Sequence, residues 1–313
     1  MVGIVRDELK LATPRIEINV LKTVQTQYTG NAINDGQVIA GNTVPAQVTV
    51  IWHGGTTSKV VSSYDPVTTD ILGDPIIIGS LLQKDEYDFT NNLIRSTVNH
   101  FLWQDNGTYK SNNFVALPVY SMLKTAGGCE MSKTSFGYDE TYNDSNNNPV
   151  TLQSSEIFTQ HVAAPGAVRG NGTSTSKWLI SACAEQSAIT SHVIPYDTGM
   201  AYQAFDPFRH FTQFTYSSAF AGAYVTQTNL PDTQMPDTGA TIVHHVISGN
   251  YDFNSGLLTS FTDENNQQFT YTYDAMLRLT QGNHPDNGIT KFVYPNAITV
   301  ERQRLISGTT YDD

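Results

Sequence analysis

Tyr251-Asp252-Phe253-Asn254-Ser255-Gly256-Leu257-Leu258 opens the stretch that decides the fold. It is followed by Thr262-Asp263, by Tyr271-Thr272-Tyr273-Asp274, by Arg278-Leu279 and by Pro285-Asp286-Asn287-Gly288. Between the turn-forming residues the side chains alternate, with Phe269, Tyr271 and Tyr273 on one face and Thr270 and Thr272 on the other. A period of two with aromatic and β-branched residues specifies half-buried strands. The spacing predicts strands over 257–262, 268–273, 277–282 and 289–294, each of the usual length. Turn chemistry predicts positive φ at Gly256 and a two-residue turn at Asn287-Gly288.

The pattern repeats elsewhere. Tyr87-Asp88-Phe89-Thr90-Asn91-Asn92-Leu93-Ile94 matches 251–258 position by position, with Asn92 in place of Gly256. Asp206 and Tyr216 have the same separation as Asp263 and Tyr273. Tyr-Asp pairs recur at Tyr64-Asp65, Tyr87-Asp88, Tyr138-Asp139, Tyr196-Asp197, Tyr251-Asp252, Tyr273-Asp274 and Tyr311-Asp312. A tyrosine at a strand end can bury its ring while its hydroxyl reaches a polar partner. The aspartate after it can bind backbone amides of the turn it opens. Together they set where a strand stops, and hence its register.

These motifs resemble the RHS/YD repeats of bacterial surface and secreted polypeptides. The match is clearest over 196–294, is recognisable over 87–139 and does not extend to 1–56. The resemblance implies consecutive antiparallel hairpins in a long sheet that spirals into a shell around a cargo. Asn266 and Arg209 stand where the family's turn glycine is usual, and the family's self-cleaving carboxy-terminal core is not recognisable. The expected organisation is a β-rich region over 1–86 with no assigned repeat, then a YD-repeat sheet over 87–313.

Composition supports an all-β fold. Only 15% of the 313 residues are charged, and 16 tyrosines and 14 phenylalanines accompany abundant Thr, Ser and Asn. A helix is expected only over 6–12. Further strands are expected around 16–20, 47–52, 57–64, 174–181, 223–228 and 241–247, and a buried one across 76–82. Asn34-Asp35-Gly36 reads as a hairpin turn.

The formal charge of −12 argues against nucleic acid and anionic membranes as partners. No apolar run is long enough for a spanning helix, and no secretory signal is visible. The resemblance nevertheless implies an extracellular or cell-surface protein. Cys129 and Cys183 are the only cysteines, and two thiols in separate segments read as free.

No sequence motif for a serine hydrolase, zinc protease, P-loop or Cys-x-x-Cys metal site is present, so no cofactor or metal is expected. His244-His245 point to opposite faces of a strand and read as a structural pair. Asp144-Ser145-Asn146-Asn147-Asn148 imitates a calcium loop, but Pro149 replaces the turn glycine and Glu156 falls one position late. Asp85, Glu86, Asp88 and the adjacent Asp263-Glu264 are the carboxylates a glycosidase would draw on. Trp52, Trp103 and Trp178 are the aromatics a carbohydrate-binding surface would use, although sheet packing explains them too. The leading expectation is a non-enzymatic structural segment of β-shell. A carbohydrate-binding module and a carboxylate-dependent glycosidase are the alternatives. The repeat pattern runs to Tyr311-Asp312 without a capping sequence, so self-association through sheet ends is expected.

Overall fold

A computed structural model describes residues 2–3, 21–31, 41–65, 68–69, 75–76, 78–143, 149–150, 168–234, 242–307 and 310–312. The expected helix over 6–12, the alternation at 16–20, Asn34-Asp35-Gly36 and the Asp144–Asn148 loop lie outside the described residues. The protein is all-β, built from antiparallel hairpins. The chain divides into two units, one of 1–139 with 166–190 and one of 140–165 with 191–313.

In the first unit each strand pairs with the next in sequence. The ladder runs through Lys22–Asn31, Gly41–Trp52, Thr57–Tyr64, Leu81–Tyr87, Leu93–Phe101, Pro118–Thr125, Glu130–Tyr138 and Gly172–Ser181. The expected strand across 76–82 is not one strand. Pro75–Ile76 pairs with Thr68–Thr69, and the ladder resumes only at Leu81. Gly79, with φ 92, interrupts it, because the three amides at 78–80 turn inward onto Asp65. Two short helices, Leu102–Asp105 and Gly107–Ser111, sit between strands. They are too brief to show helical periodicity in sequence. The Asn106 side chain caps the second by accepting from the Thr108 amide.

The second unit is the same kind of meander. From the end of Ala184–Pro195 it continues through Ala201–Phe205, Phe211–Tyr216, Val225–Gln234, Ile242–Tyr251 and Leu258–Thr262. Gln268–Tyr273, Leu279–Asn283, Ile289–Asn296, Thr299–Ser307 and Thr310–Asp312 follow. No helix interrupts 251–294. Directly paired residues share a face. Phe261 therefore sits with Phe269, and Tyr271 lies across from Gly282. On the other face run Gln203, Gln213, Gln227, Asn229, Gln281 and Asn283, several joined by side-chain hydrogen bonds.

Most turns share one closure. At Asp88, Asp206, Asp263 and Asp274 the residue's N–H donates to the carbonyl four positions on, and its own carbonyl accepts from the residue three on. In each, one aspartate oxygen accepts the amides two and four positions later, at 2.8–3.0 Å. The residue before the closing one is left-handed: Asn91, Arg209, Asn266 and Leu277, with φ from 58 to 70. This is a type I turn followed by a left-handed residue. The absent family glycine is thus replaced at positions that still adopt the glycine conformation. Leu277 gains nothing from its side chain there, being 56% exposed. Leu277→Gly is therefore expected to stabilise the protein by about 1 kcal/mol, read as a raised urea midpoint.

His284–Gly288 closes in the same way, with Asn287 at φ 65. The expected two-residue Asn-Gly turn is thus a three-residue loop. Pro285 supplies the fixed φ of a type I turn and shifts the left-handed position onto Asn287. Gly256 is left-handed as expected, at φ 72, and a Cβ there would also meet the Tyr224 hydroxyl at 2.8 Å.

The tyrosine hydroxyls complete the hairpins. Tyr64, Tyr138, Tyr216, Tyr273 and Tyr294 donate to the carbonyls of Pro45, Pro118, Ala201, Leu258 and Leu279, each near the start of the preceding strand. Burial pushes the phenols of Tyr138, Tyr216 and Tyr273 up, so they remain donors at neutral pH.

Candidate functional site

Cys129 and Cys183 are bonded to each other, which corrects the expectation of free thiols. Cys129 closes the turn begun at Thr125, whose hydroxyl accepts the Cys129 amide. Cys183 follows Ala182 in a tight turn where both residues have positive φ, 52 and 66. Two hairpin tips, distant in sequence, are brought together by the ladder and stapled.

The carboxylates that a glycosidase would draw on each have scaffold partners, Asp88 and Asp263 in turn amides and Glu264 in His245. Asp85 accepts from Gln83 and Ser96. Glu86, the next residue on the strand, faces the other way and binds Lys84 and Arg95 at 2.7 Å. Its carboxyl is lowered, first by the hydrogen bond from Lys84 and then by Arg95, against opposing burial. The Asp88 carboxyl is lowered chiefly by the Asn92 amide, that of Asp252 by Ser255 and that of Asp274 by Arg278. A lowered folded pKa means that what these turns contribute is present at neutral pH. It is lost as pH falls below the ordinary carboxylate value through the lowered one.

The three tryptophans form no shared platform among the described residues. Trp103 donates its indole N–H to Ser80 and lies under Lys110, and Trp178 donates to Ser135 beside Lys133. Lys133 is itself fixed by Glu185 at 2.7 Å. Only Trp52, 43% exposed and edge-on to Phe89, presents a free face.

A concavity of about 560 Å³ lies in the second unit between the 206–210 turn and the strands Val225–Gln234 and Ile242–Tyr251. A register shift between Leu230 and Thr233 opens it. Three imidazole–carboxylate pairs surround it. His210 meets Asp206 at 2.8 Å and His244 meets Asp232 at 2.9 Å. His245 binds Glu264 and the Thr233 hydroxyl. Burial would raise the Asp206 carboxyl, but the His210 ring and amide outweigh it and lower it. His244 is 72% exposed while His245 is 23% exposed on the opposite face, as strand alternation requires. The three pairs therefore do not converge on one reacting atom. Among the described residues no group of three or more His, Cys, Asp or Glu is placed to hold a metal ion. His192 stacks on Tyr142 at 4.1 Å and is lowered first by burial and also by Arg209, against Glu140, so its ring packs as a neutral aromatic. Sequence inspection singled out neither His210 nor Asp232. They are 22 positions apart in the numbering and come to line one concavity only through strand pairing.

No family model matches the chain, and no curated protein does. Solved structures with similar strand arrangements include the Photorhabdus luminescens Tc holotoxin pore, at 11% identity and TM-score 0.34, covering 90% of this chain and 21% of that one. A TcdB2-TccC3 structure matches at 14% identity and TM-score 0.30, covering 83% and 14%. A porin-like protein from Bacteroides uniformis matches at 9% identity and TM-score 0.18, covering 90% and 88%. The chain spans about a fifth or less of the length of the toxin chains it matches. At these values the similarities carry no weight in assigning a role.

Proposed function

We propose that this chain is a structural β-module, a stretch of Tyr–Asp hairpin wall of the kind its motifs resemble, whose task is to hold an extended sheet in register. One observation carries this reading: the residues that a catalytic account would need are consumed by the scaffold. The aspartates of the Tyr–Asp motifs accept turn amides, and tyrosine hydroxyls lock strand ends to carbonyls of the paired strand. The polar face of Gln, Asn and Thr is linked by side-chain hydrogen bonds, suited to wet contact along a wall.

The test is a comparison of stability with any activity found. Tyr273→Phe removes one hydroxyl bond and is expected to cost about 1 kcal/mol in urea denaturation. Any binding or turnover of the purified chain should fall only as far as folding does. A Tyr273→Phe or Asp274→Ala variant that melts like the parent yet has lost an activity would replace the scaffold reading with a catalytic one.

A further inference from the structure

Beyond the scaffold role, we infer that the cleft between the 284–288 turn and the strand Thr299–Ser307 is a binding site for an acidic oligosaccharide. The strand pairs Arg304 with Thr290 and Arg302 with Phe292. These four side chains therefore share one face, and Arg302 and Arg304 stand two residues apart, about 7 Å along the strand. The cleft has a volume of about 450 Å³ and is lined by His284, Asp286, Thr290, Arg302, Arg304 and Leu305.

Both guanidiniums are exposed, and neither has a hydrogen bond or ion pair among the described residues. Other arginines on this chain are engaged. Arg95 binds Glu86, and Arg278 binds Asp274 while its guanidinium stacks over Tyr294 at 4.2 Å. A chain with 29 acidic and 17 basic residues offers many carboxylates, so two neighbouring unpaired guanidiniums on one face are a concentrated exception. Asp286, the one carboxylate among the described lining residues, uses an oxygen to accept the Gly288 amide at 2.8 Å, and Asp312 stands opposite Arg304 in the strand register.

The chemistry selects the ligand. A guanidinium fork fits a carboxylate or sulfate with two parallel hydrogen bonds. Two forks on one strand face fit two anionic groups carried on neighbouring units of a chain. Below them, the His284 imidazole and the Thr290 hydroxyl, 3.1 Å apart, supply polar atoms for sugar hydroxyls. Ile289 and Leu305 add apolar surface for the carbon face of a ring. Inorganic phosphate and polyglutamate offer anionic groups without the ring faces and hydroxyls that Leu305, His284 and Thr290 would meet.

The experiment is titration calorimetry of the whole chain with five probes: a heparin-type sulfated oligosaccharide, oligogalacturonate, neutral oligodextran, inorganic phosphate and single-stranded DNA. Polyglutamate serves as an acidic peptide control. Either acidic oligosaccharide should bind, with affinity falling as salt rises, while dextran should not. Arg302→Gln and Arg304→Gln should each weaken that binding roughly tenfold, and the double variant roughly a hundredfold. Their melting temperatures should stay near the parent value, because neither arginine holds a partner among the described residues. Three results would overturn the inference: no binding of either acidic oligosaccharide, equal binding of dextran, or unchanged affinity in a double variant that melts normally. Tighter binding of DNA, phosphate or polyglutamate than of both acidic oligosaccharides would overturn it as well. The scaffold reading survives each of these outcomes, since it depends on the hairpin closures and not on this cleft.

Discussion

Replacing Cys129 and Cys183 together by serine is expected to lower stability by about 2–4 kcal/mol, the largest effect of any surface change on this chain. The bond closes a 54-residue span, for which chain-entropy reasoning gives about 4 kcal/mol as an upper value. A second contribution is local. Ala182 and Cys183 both hold positive φ, which costs about 1–2 kcal/mol for each residue with a side chain. The bond to Cys129 holds that turn in place where an Asn-Gly pair would form it unaided. Urea denaturation of the parent with and without reductant, beside the double serine variant, measures the effect. The reduced parent and the variant should share one lowered midpoint. Equal midpoints for the oxidised parent and the variant would show that the ladder alone fixes both hairpin tips.

Asp65→Ala and Asp139→Ala are expected to cost about 3 kcal/mol or more each, well above Asp252→Ala or Asp274→Ala. The Asp65 carboxylate, 3% exposed, accepts three backbone amides, from Ile78, Gly79 and Ser80. Asp139 accepts from Arg169, Gly170 and Asn171, and from the hydroxyl of Tyr109, itself 5% exposed. Removing either carboxylate leaves several donors unpaired away from water. At Asp252 the turn is exposed and solvent replaces the lost acceptor. The Tyr–Asp positions are therefore unequal. Thermal melts of the four alanine variants should separate into two groups. A uniform drop would mean that the long returns at 78–80 and 169–171 relax onto water.

The hairpin ladder of 251–294 was legible because its information is local. Alternation assigns the faces, and each turn carries its own aspartate. Strands 57–64 and 268–273 were read to the residue. The Asn287-Gly288 turn was misread because the pair is a strong signal that Pro285 overrides, and the register of a turn depends on where its fixed φ falls. The disulfide was not legible, since Cys129 and Cys183 meet through the pairing of Glu130–Tyr138 with Gly172–Ser181. The same holds for His210 with Asp206 beside Asp232 and His244, where a register shift makes the concavity. Arg302-x-Arg304 left a trace in sequence, two like charges at strand spacing in an acid-rich chain. Its lack of partners is visible only once strands are paired.

The aspartate clamp also makes span length a free variable. The same carboxylate grips returning amides that are 4 positions away at Asp88, 13 at Asp65 and 30 at Asp139. Going from the shortest span to the longest costs only about 2 kcal/mol in closure entropy, and the third gripped amide offsets part of that. Strand register is thus decoupled from what lies between the clamp points. A foreign peptide grafted between Asp65 and Ile78, or between Asp139 and Arg169, would leave the ladder on either side unchanged. These two positions are natural ports through which such a sheet can acquire new parts by insertion, and the places where an engineer would add them.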